Sequence, residues 1–216
     1  MDFDEIIRRR RSVRRFDEQQ VRRETIIEII NDARTAPSWA NSQERKVYIA
    51  THSCAAAIRR EYLEQSQRGM IGISDFSFTH RAEWSKRAQD NMAEFESGME
   101  KFMGDDVEEF VHVQDTLYDA PTIVYLTLPK EASKWAILDM GAFEMALMMS
   151  ATARGLDTMV AYAFVKYPDI IRKHIPIPEN EDIAIGIGIG YAKEDAKINQ
   201  YRSTRDPLTE IMLLQG

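Results

Sequence analysis

The sequence predicts an α+β fold rather than a doubly wound α/β fold. Two runs are strongly β-forming, Ala120–Pro129 (APTIVYLTLP) and Asp182–Ala192 (DIAIGIGIGYA), because both are rich in β-branched residues. Between them, the long apolar segment from Trp135 to Ala153 predicts a helix. The predicted helices flank few strands and do not alternate regularly with them, which favours α+β.

Length and composition indicate one globular domain over residues 1–216. The residues are 44% apolar and 29% charged, and the formal net charge of -7 argues against nucleic-acid binding by the surface as a whole. Asp139 and Glu144 interrupt the apolar segment, which favours a buried helix over a membrane span. The acidic and then basic start predicts no signal peptide, and the single cysteine, Cys54, fits a reducing cytoplasm.

Local patterns predict the elements before the first long strand. Helical spacing of Phe3, Ile6 and Ile7 indicates a helix over residues 2–11. A second helix ends before Pro37, and its predicted apolar face consists of Ile26, Ile27, Ile30 and Ala33. Lys46–Ala50 (KVYIA) is β-rich and predicts a strand.

The middle and the end of the chain are less regular. Residues 55–110 are polar with two helical stretches, which we interpret as a helical excursion or lid; we expect residues 66–110 to shape a pocket. Residues 134–155 form a helix that is apolar nearly all round and ends at Gly155, so it must be enclosed within the chain or across a dimer interface. The tail from Lys193 to Gly216 is expected to be extended.

An arginine cluster lies near the amino terminus, in RRRRSVRRF over residues 8–16. Charge runs are usually solvated surfaces, with carboxylates elsewhere as salt-bridge partners, here for Arg8, Arg9 and Arg15. The alternative is an anion site, in which guanidinium groups and the Ser12 hydroxyl bind a phosphate. Its candidate arginines are Arg10, Arg11 and Arg14. A second group, Arg202, Ser203 and Arg205 in YRSTRDPL, suggests that both chain ends converge on one anionic ligand.

Three other motifs have competing interpretations. The loop PSWANSQ (residues 37–43) is either an ordinary loop or a site where Asn41 and Gln43 meet the polar edge of a heteroaromatic ring under Trp39. The GIGIG glycines lack the spacing of a dinucleotide site, so close packing on one strand face is favoured. The scattered histidines predict no metal site, and Cys54 is more simply a buried thiol than a nucleophile.

Taken together, six segments resemble the nitroreductase-like family of FMN-dependent oxidoreductases. They are RRSVRRF, APSWANSQ, DAPTIVYL, LDMGAFEMALMMSATARGLDT, IPIPENEDIAIGIGIGYA and RSTRDPL, in this order along the chain. The resemblance leaves out roughly residues 55–110. It implies a nitroreductase-like fold, with a central mixed or antiparallel sheet flanked by helices, in a homodimer with two FMN sites at the interface.

The resemblance also implies an activity and a set of site residues. Such enzymes take hydride from NADH or NADPH and reduce an electron-poor small-molecule acceptor, such as a nitroaromatic, quinone or enone, by two electrons in a ping-pong cycle. No protein catalytic residue is implied, except that Arg14 is a candidate for stabilising charge at flavin N1. The implied FMN-binding residues are, for the phosphate and ribityl chain, Arg10, Arg11, Ser12, Arg14, Arg202, Ser203 and Arg205, and, for the ring, Pro37, Ser38, Trp39, Asn41, Gln43, Tyr162 and Ala163.

Two departures and two alternatives accompany the resemblance. Gln43 is followed by Glu44 and Arg45 where the family commonly has Pro-Trp, and Trp39 stands where a small residue is common. Specialised relatives of the same fold remove halogens or degrade flavin. A nonenzymatic binder of nucleic acid or an acidic protein would use the arginine cluster alone, but it leaves the other motifs unexplained, so we expect no nucleic-acid partner.

Overall fold

A computed structural model describes all residues 1–216. The helices are α1 (Phe3–Arg9), α2 (Arg23–Ala33), α3 (His52–Gln67), α4 (Lys86–Met103), α5 (Val107–His112), α6 (Lys134–Ala153), α7 (Pro168–His174) and α8 (Leu208–Ile211). The strands are β1 (Lys46–Thr51), β2 (Thr122–Pro129), β3 (Asp157–Ala161) and β4 (Glu181–Gly190). The predicted amino-terminal helices, the strands near residues 46, 120 and 182, and the long helix are therefore confirmed.

The four strands form one antiparallel sheet in the order β1-β2-β4-β3. One cross-strand row shows the register: Tyr48 lies opposite Tyr125, which lies opposite Gly186, which lies opposite Ala161. Because every neighbouring pair is antiparallel and the helices pack on both faces, the predicted α+β class is confirmed.

Side-chain alternation along the strands divides the core into two layers. On one face, Val124 and Leu126 of β2 and Ile187 of β4 pack against α2 and α6. On the opposite face, Ile123 and Tyr125 belong to a second apolar cluster with α3 and α7. Both faces of β2 are therefore buried, as the apolar run IVYL over residues 123–126 indicates.

The glycine stripe of β4 serves close packing, as predicted. A Cβ atom built on Gly186 would lie 2.2 Å from Cβ of Phe164, and one on Gly188 would lie 2.8 Å from Cβ of Ala120. A Cβ on Gly190 would lie 2.8 Å from Cδ of Pro121. No real Cβ contact is this short, so the neighbouring chain can approach only because these positions lack side chains.

Helix α6 is only partly enclosed by its own chain. It begins where the Ser133 hydroxyl accepts a hydrogen bond from the Ala136 amide (3.2 Å) and ends before Gly155, whose φ is +77°. Trp135 and Leu138 remain exposed. By length and composition alone α6 is also apolar enough to cross a bilayer, although its inner face packs on the sheet.

The predicted apolar face of α2 is wrong in one respect. Ile26, Ile29 and Ala33 are buried, whereas Ile27 is exposed. Successive helical residues are rotated by about 100°, so Ile29 lies closer to the direction of Ile26 than Ile27 does. The interpretation of residues 55–110 as an excursion from a single domain stays a prediction; the structure places α3, α4 and α5 there.

Candidate functional site

The arginine segment, residues 8–16, lies along the β3 edge of the sheet. The amide of Val13 donates to the Thr158 carbonyl (2.9 Å), and the amide of Asp17 donates to the Tyr191 carbonyl (2.8 Å). Val13 is fully buried and acts as an apolar anchor. The backbone on both sides of the arginines is therefore fixed, and their side chains extend from an ordered segment.

Asn199 joins this segment to the carboxy-terminal part of the chain. Its side-chain oxygen accepts from the amides of Arg14 (2.8 Å) and Arg15 (3.1 Å), while its amide donates to the carbonyls of Arg15 (2.8 Å) and Lys193 (3.2 Å). Asn199 is 3% exposed, so these bonds form away from water. Sequence reasoning missed this residue; its only signal is its position three residues before Arg202.

The arginines of the cluster fall into two groups. Arg8 pairs with Asp4 (3.4 Å), and Arg15 pairs with Glu109 (3.1 Å) and Asp119, so both are salt-bridge partners. The prediction that Arg9 also pairs with a carboxylate is wrong, because its guanidinium contacts the Met1 sulfur instead (3.5 Å). The three remaining arginines form no ion pair; they are the half-buried Arg10, Arg11 and Arg14.

Arg14 is the most enclosed of these charges. Its guanidinium lies 5.5 Å from the ring centroid of Phe95 and donates one hydrogen bond, to the Ser12 carbonyl (3.3 Å). Burial lowers the pKa of Arg14, and the nearby Tyr118 and Tyr201 hydroxyls act in the opposite direction. An arginine stays charged at neutral pH, so Arg14 carries a positive charge with most of its donors unused.

The two ends of the chain meet where Arg11 and Arg202 lie. Both line a cleft of about 780 Å³ between the arginine segment and residues 191–202. Burial lowers the pKa of Arg202, and the like charge of Arg11, which lines the same cleft, lowers it further. The Nε atom of Arg11 is buried without a partner. Carboxylates also line this cleft, but none lies within 4 Å of either guanidinium; they are Asp17, Asp157, Glu194 and Asp195.

Ser203 and Arg205 line a separate, smaller cleft of about 350 Å³. The Arg205 guanidinium donates to the Ser203 hydroxyl (2.7 Å) and forms no ion pair. Phe95 belongs to the wall of this cleft and also packs against Arg14. The second cleft therefore adjoins the arginine segment through the Phe95 ring.

The PSWANSQ loop lies against the start of α6. Trp39 stacks on Trp135 with ring centroids 4.8 Å apart, and its amide donates to the Asp139 carboxylate (2.8 Å). Gln43 donates to the Asn41 side chain (2.8 Å). The φ angles of Asn41 and Gln43 are +62° and +49°, an unusual conformation for residues other than glycine. Pro37 is exposed, and the half-buried Ser38 accepts from the Gln43 amide (3.2 Å).

Tyr162 and Ala163 begin the turn after β3. Ala163 is buried in the core, whereas Tyr162 is exposed with its ring 5.5 Å from that of Phe78. Phe78 belongs to the polar middle region, so this region reaches one of the predicted site residues. At the departure from the family loop, Arg45 packs over the Phe143 ring (4.9 Å to its centroid).

The structure thus joins some predicted site residues and leaves others apart. It unites Arg11 with Arg202, and Arg14 with the wall of the Arg205 cleft, but no hydrogen bond or ion pair joins the arginine segment to the PSWANSQ loop. The assignment of individual residues to a cofactor stays a prediction.

Comparisons with known proteins identify the family of the chain. The model of the nitroreductase family matches residues 7–191. The chain is 27% identical over 212 residues to a 4-nitrobenzoate reductase of Pseudomonas putida, covering 95% of this chain and 92% of the relative. It is also 27% identical to the 4-nitrobenzoate reductase of Nocardioides sp. (strain LMS-CY), covering 95% and 87%.

A solved structure shows the same fold. The FMN-dependent nitroreductase NfnB from Mycobacterium smegmatis, in complex with NADPH, superposes with a TM-score of 0.90 at 24% identity, covering 99% of this chain and 97% of that one. The family match spans most of the sequence, and the superposition spans nearly all of it. The resemblance seen in the sequence is confirmed: the chain belongs to the nitroreductase family.

Proposed function

We propose that this chain is an FMN-dependent NAD(P)H oxidoreductase that reduces nitroaromatic compounds. One observation carries the proposal: arginines from both ends of the chain, Arg11 and Arg202, meet in one cleft without a carboxylate on either. Like charges repel, so such a pair is stable in an ordered site when an anion neutralises it. The phosphate of FMN carries about -1.5 to -2 charges at neutral pH and matches forked guanidinium donors.

The residues around the cleft fit the cofactor. The orphan Nε of Arg11 has a free hydrogen to donate, and Arg10 and Ser12 flank it on the same ordered segment. Arg14 would place positive charge beside the flavin ring, where it stabilises negative charge that develops on reduction. When bound, FMN would supply two-electron hydride transfer from the nicotinamide to the acceptor in two half-reactions, and the proton that accompanies the hydride on the acceptor would come from water.

A second copy of the chain would complete the site. Helices α1 and α6 contact each other and expose apolar side chains, among them Phe3 (63% exposed) and Leu138 (64%). An exposed apolar surface of this kind marks an association site. We infer a homodimer in which the PSWANSQ loop of one subunit approaches the flavin held by the other. Light scattering should give twice the 24.9 kDa chain mass; a monomer at micromolar concentration would contradict the inference.

The acceptor is proposed from chemistry and from the relatives. Two relatives are named 4-nitrobenzoate reductases. In this chain Tyr162 and Phe78 present aromatic surface next to each other, which suits a flat aromatic acceptor. Reduction of halogenated aromatics or flavin breakdown remains the alternative within the family. The cytoplasmic location stays a proposal that rests on the single cysteine.

The direct experiment combines cofactor identification with turnover. Purified protein should be yellow and release FMN on denaturation, its flavin absorbance should bleach anaerobically with NADPH or NADH, and 4-nitrobenzoate should restore it. The same assay with both nicotinamides gives the preferred donor. Colourless protein that takes up no added FMN, or a flavin that neither nicotinamide reduces, would overturn the proposal.

The role of Arg14 has its own test. Arg14→Ala should weaken FMN retention and slow flavin reduction by NAD(P)H, because positive charge near the ring is lost. Apoprotein stability should be unchanged or raised, since the variant removes a desolvated charge without an acid partner. Unchanged FMN content together with an unchanged reduction rate would reject this role.

A further inference from the structure

We propose that helix α4 is a positioning element for the carboxy-terminal arginine segment, defined as residues 201–206, and thereby for binding of the flavin phosphate. The inference rests on the proposed function. It assigns a role to a helix in the polar middle of the chain, far in sequence from every predicted phosphate-binding residue. Contacts from α4 to Tyr201, Thr204, Asp206 and Arg14 carry it.

The first contact is aromatic and close. Tyr201 packs against Phe95 (5.9 Å between ring centroids) and Phe102 (5.5 Å) of α4. Between them on the helix is Gly98, where an added Cβ would lie 2.6 Å from the Tyr201 hydroxyl oxygen. The helix thus carries a notch that admits Tyr201, the residue immediately before Arg202.

The other contacts are polar and lie on both sides of Arg205. Glu94 of α4 accepts a hydrogen bond from the Thr204 hydroxyl (3.0 Å). Asp206 accepts from the Asn91 amide (3.1 Å) and pairs with Arg87, whose Nε lies 3.1 Å from the carboxylate. Both neighbours of Arg205 are therefore tied to α4, while Arg205 itself remains free of ion pairs.

Helix α4 also reaches the amino-terminal half of the site. The Phe95 ring lies under the Arg14 guanidinium, 5.5 Å from its centroid, and next to the ring of Tyr201. One helix face thus contacts an arginine from the start of the chain and the arginine segment from its end. Fixing flexible side chains before binding lowers the entropy lost when the anion arrives.

Asp206→Ala tests the proposal, with Glu96→Ala as the matched control. Glu96 pairs with Arg81 on the surface of α4 (2.5 Å) and forms no hydrogen bond or ion pair with the 201–206 segment. Apoprotein is titrated with FMN and, separately, with riboflavin, which lacks the phosphate. For Asp206→Ala we expect FMN to bind about 10-fold more weakly and riboflavin to bind as in the unmodified protein. Glu96→Ala should change neither affinity.

A rescue variant and a second site separate positioning from general damage. Asp206→Asn keeps an oxygen acceptor for Asn91 and Arg87, so it should restore most of the FMN affinity. If Asp206→Ala lowers the melting temperature, Asn91→Ala removes only the hydrogen bond from Asn91 to Asp206. This variant should also weaken the binding of FMN and leave that of riboflavin unchanged. The proposal would be overturned if Asp206→Ala bound FMN as tightly as the unmodified protein does. It would also be overturned if the variant lost as much affinity for riboflavin as for FMN. Failure of the unmodified protein to bind FMN would instead overturn the proposed function.

Discussion

Arg14 and Glu181 are two enclosed charges with opposite surroundings. Glu181 is 3% exposed, and its carboxylate accepts hydrogen bonds from Thr127 (2.6 Å) and Tyr48 (3.0 Å) and pairs with Lys46. Arg14 donates a single hydrogen bond, to a neighbouring backbone carbonyl, and has no acidic partner.

The difference teaches what each region is built for. The Glu181 carboxylate ties β1, β2 and β4 together, and its binding capacity is used by the protein itself. Arg11, Arg14 and Arg202 have no acidic partner; Arg14 and Arg202 donate only to backbone carbonyls, so the positive charge of all three remains available to an anion. A saturated charge contributes to stability, whereas an unsaturated charge in an ordered site costs stability until a ligand neutralises it. The two regions should therefore respond to mutation in opposite ways.

The largest effect is expected for the double variant Arg11→Ala/Arg202→Ala. Each guanidinium removed deletes a charge-assisted contact of about 1.5–3 kcal/mol, so FMN affinity should fall by at least about 100-fold. Equilibrium titration of apoprotein by flavin fluorescence measures it. The melting temperature of the apoprotein should not fall. An FMN affinity within about 3-fold of the unmodified protein would remove the basis of the proposed site.

Glu181→Ala should have the opposite effect: it should lower the stability of the protein and leave its FMN affinity unchanged. Loss of the carboxylate leaves the Thr127 and Tyr48 hydroxyls without their acceptor, and we expect the free energy of unfolding to fall by about 2–4 kcal/mol. Lys46 is mostly exposed and can turn to solvent, so it adds little. Urea denaturation measures the change. The folded fraction should bind FMN as before; a selective loss of FMN affinity without destabilisation would contradict the comparison.

Lowering the pH should remove part of the stabilisation that the Glu181 carboxylate contributes to the folded protein. Burial alone raises the pKa of this carboxyl, but hydrogen bonds from Lys46, Thr127 and Tyr48 lower it below its ordinary value of 4.5. A lowered pKa means that the stabilisation is complete above pH 4.5 and is lost as the pH falls through the folded-state pKa. The stability difference between the unmodified protein and Glu181→Gln should shrink between pH 6 and 3. A constant difference across that range would show that charge is not the source.

The smallest effect is expected at Arg8. Its pair with Asp4 is exposed on one helix face, and such pairs contribute about 0.3–0.5 kcal/mol. Arg8→Ala should leave FMN affinity unchanged and lower stability by no more than this amount, measured by the same two titrations. A clear loss of FMN affinity in this variant would show that an arginine paired with a carboxylate also binds the cofactor. It would contradict the distinction between paired and unpaired charges.

Local chemistry explains why much of the fold was predictable. The β2 run, the glycine stripe of β4 and the apolar helix α6 each reveal their state within a short window, because side-chain periodicity and close packing are local properties. For the cleft shared by Arg11 and Arg202, the sequence predicts only that two charged groups converge. The pairing of Arg8 and Arg15 with acids, as opposed to Arg9, depends on geometry that charge patterns do not contain.

Long-range contacts account for what the sequence did not reveal. Asn199 accepts from Arg14 across 185 residues, and Asp206 meets Arg87 across 119. Nothing in the local sequence of either residue distinguishes it from an ordinary loop residue. Ile27 is a smaller miss of a different kind: helix geometry places Ile29 nearer than Ile27 to the direction of Ile26, and α6 packs on that face of α2.

A crystal structure of the protein saturated with FMN tests the central claim most directly. We expect the phosphate to lie within hydrogen-bonding distance, about 2.7–3.2 Å, of guanidinium groups from both residues 10–14 and residues 202–205. A phosphate bound elsewhere, with Arg11 and Arg202 still facing solvent in the same cleft, would contradict the account.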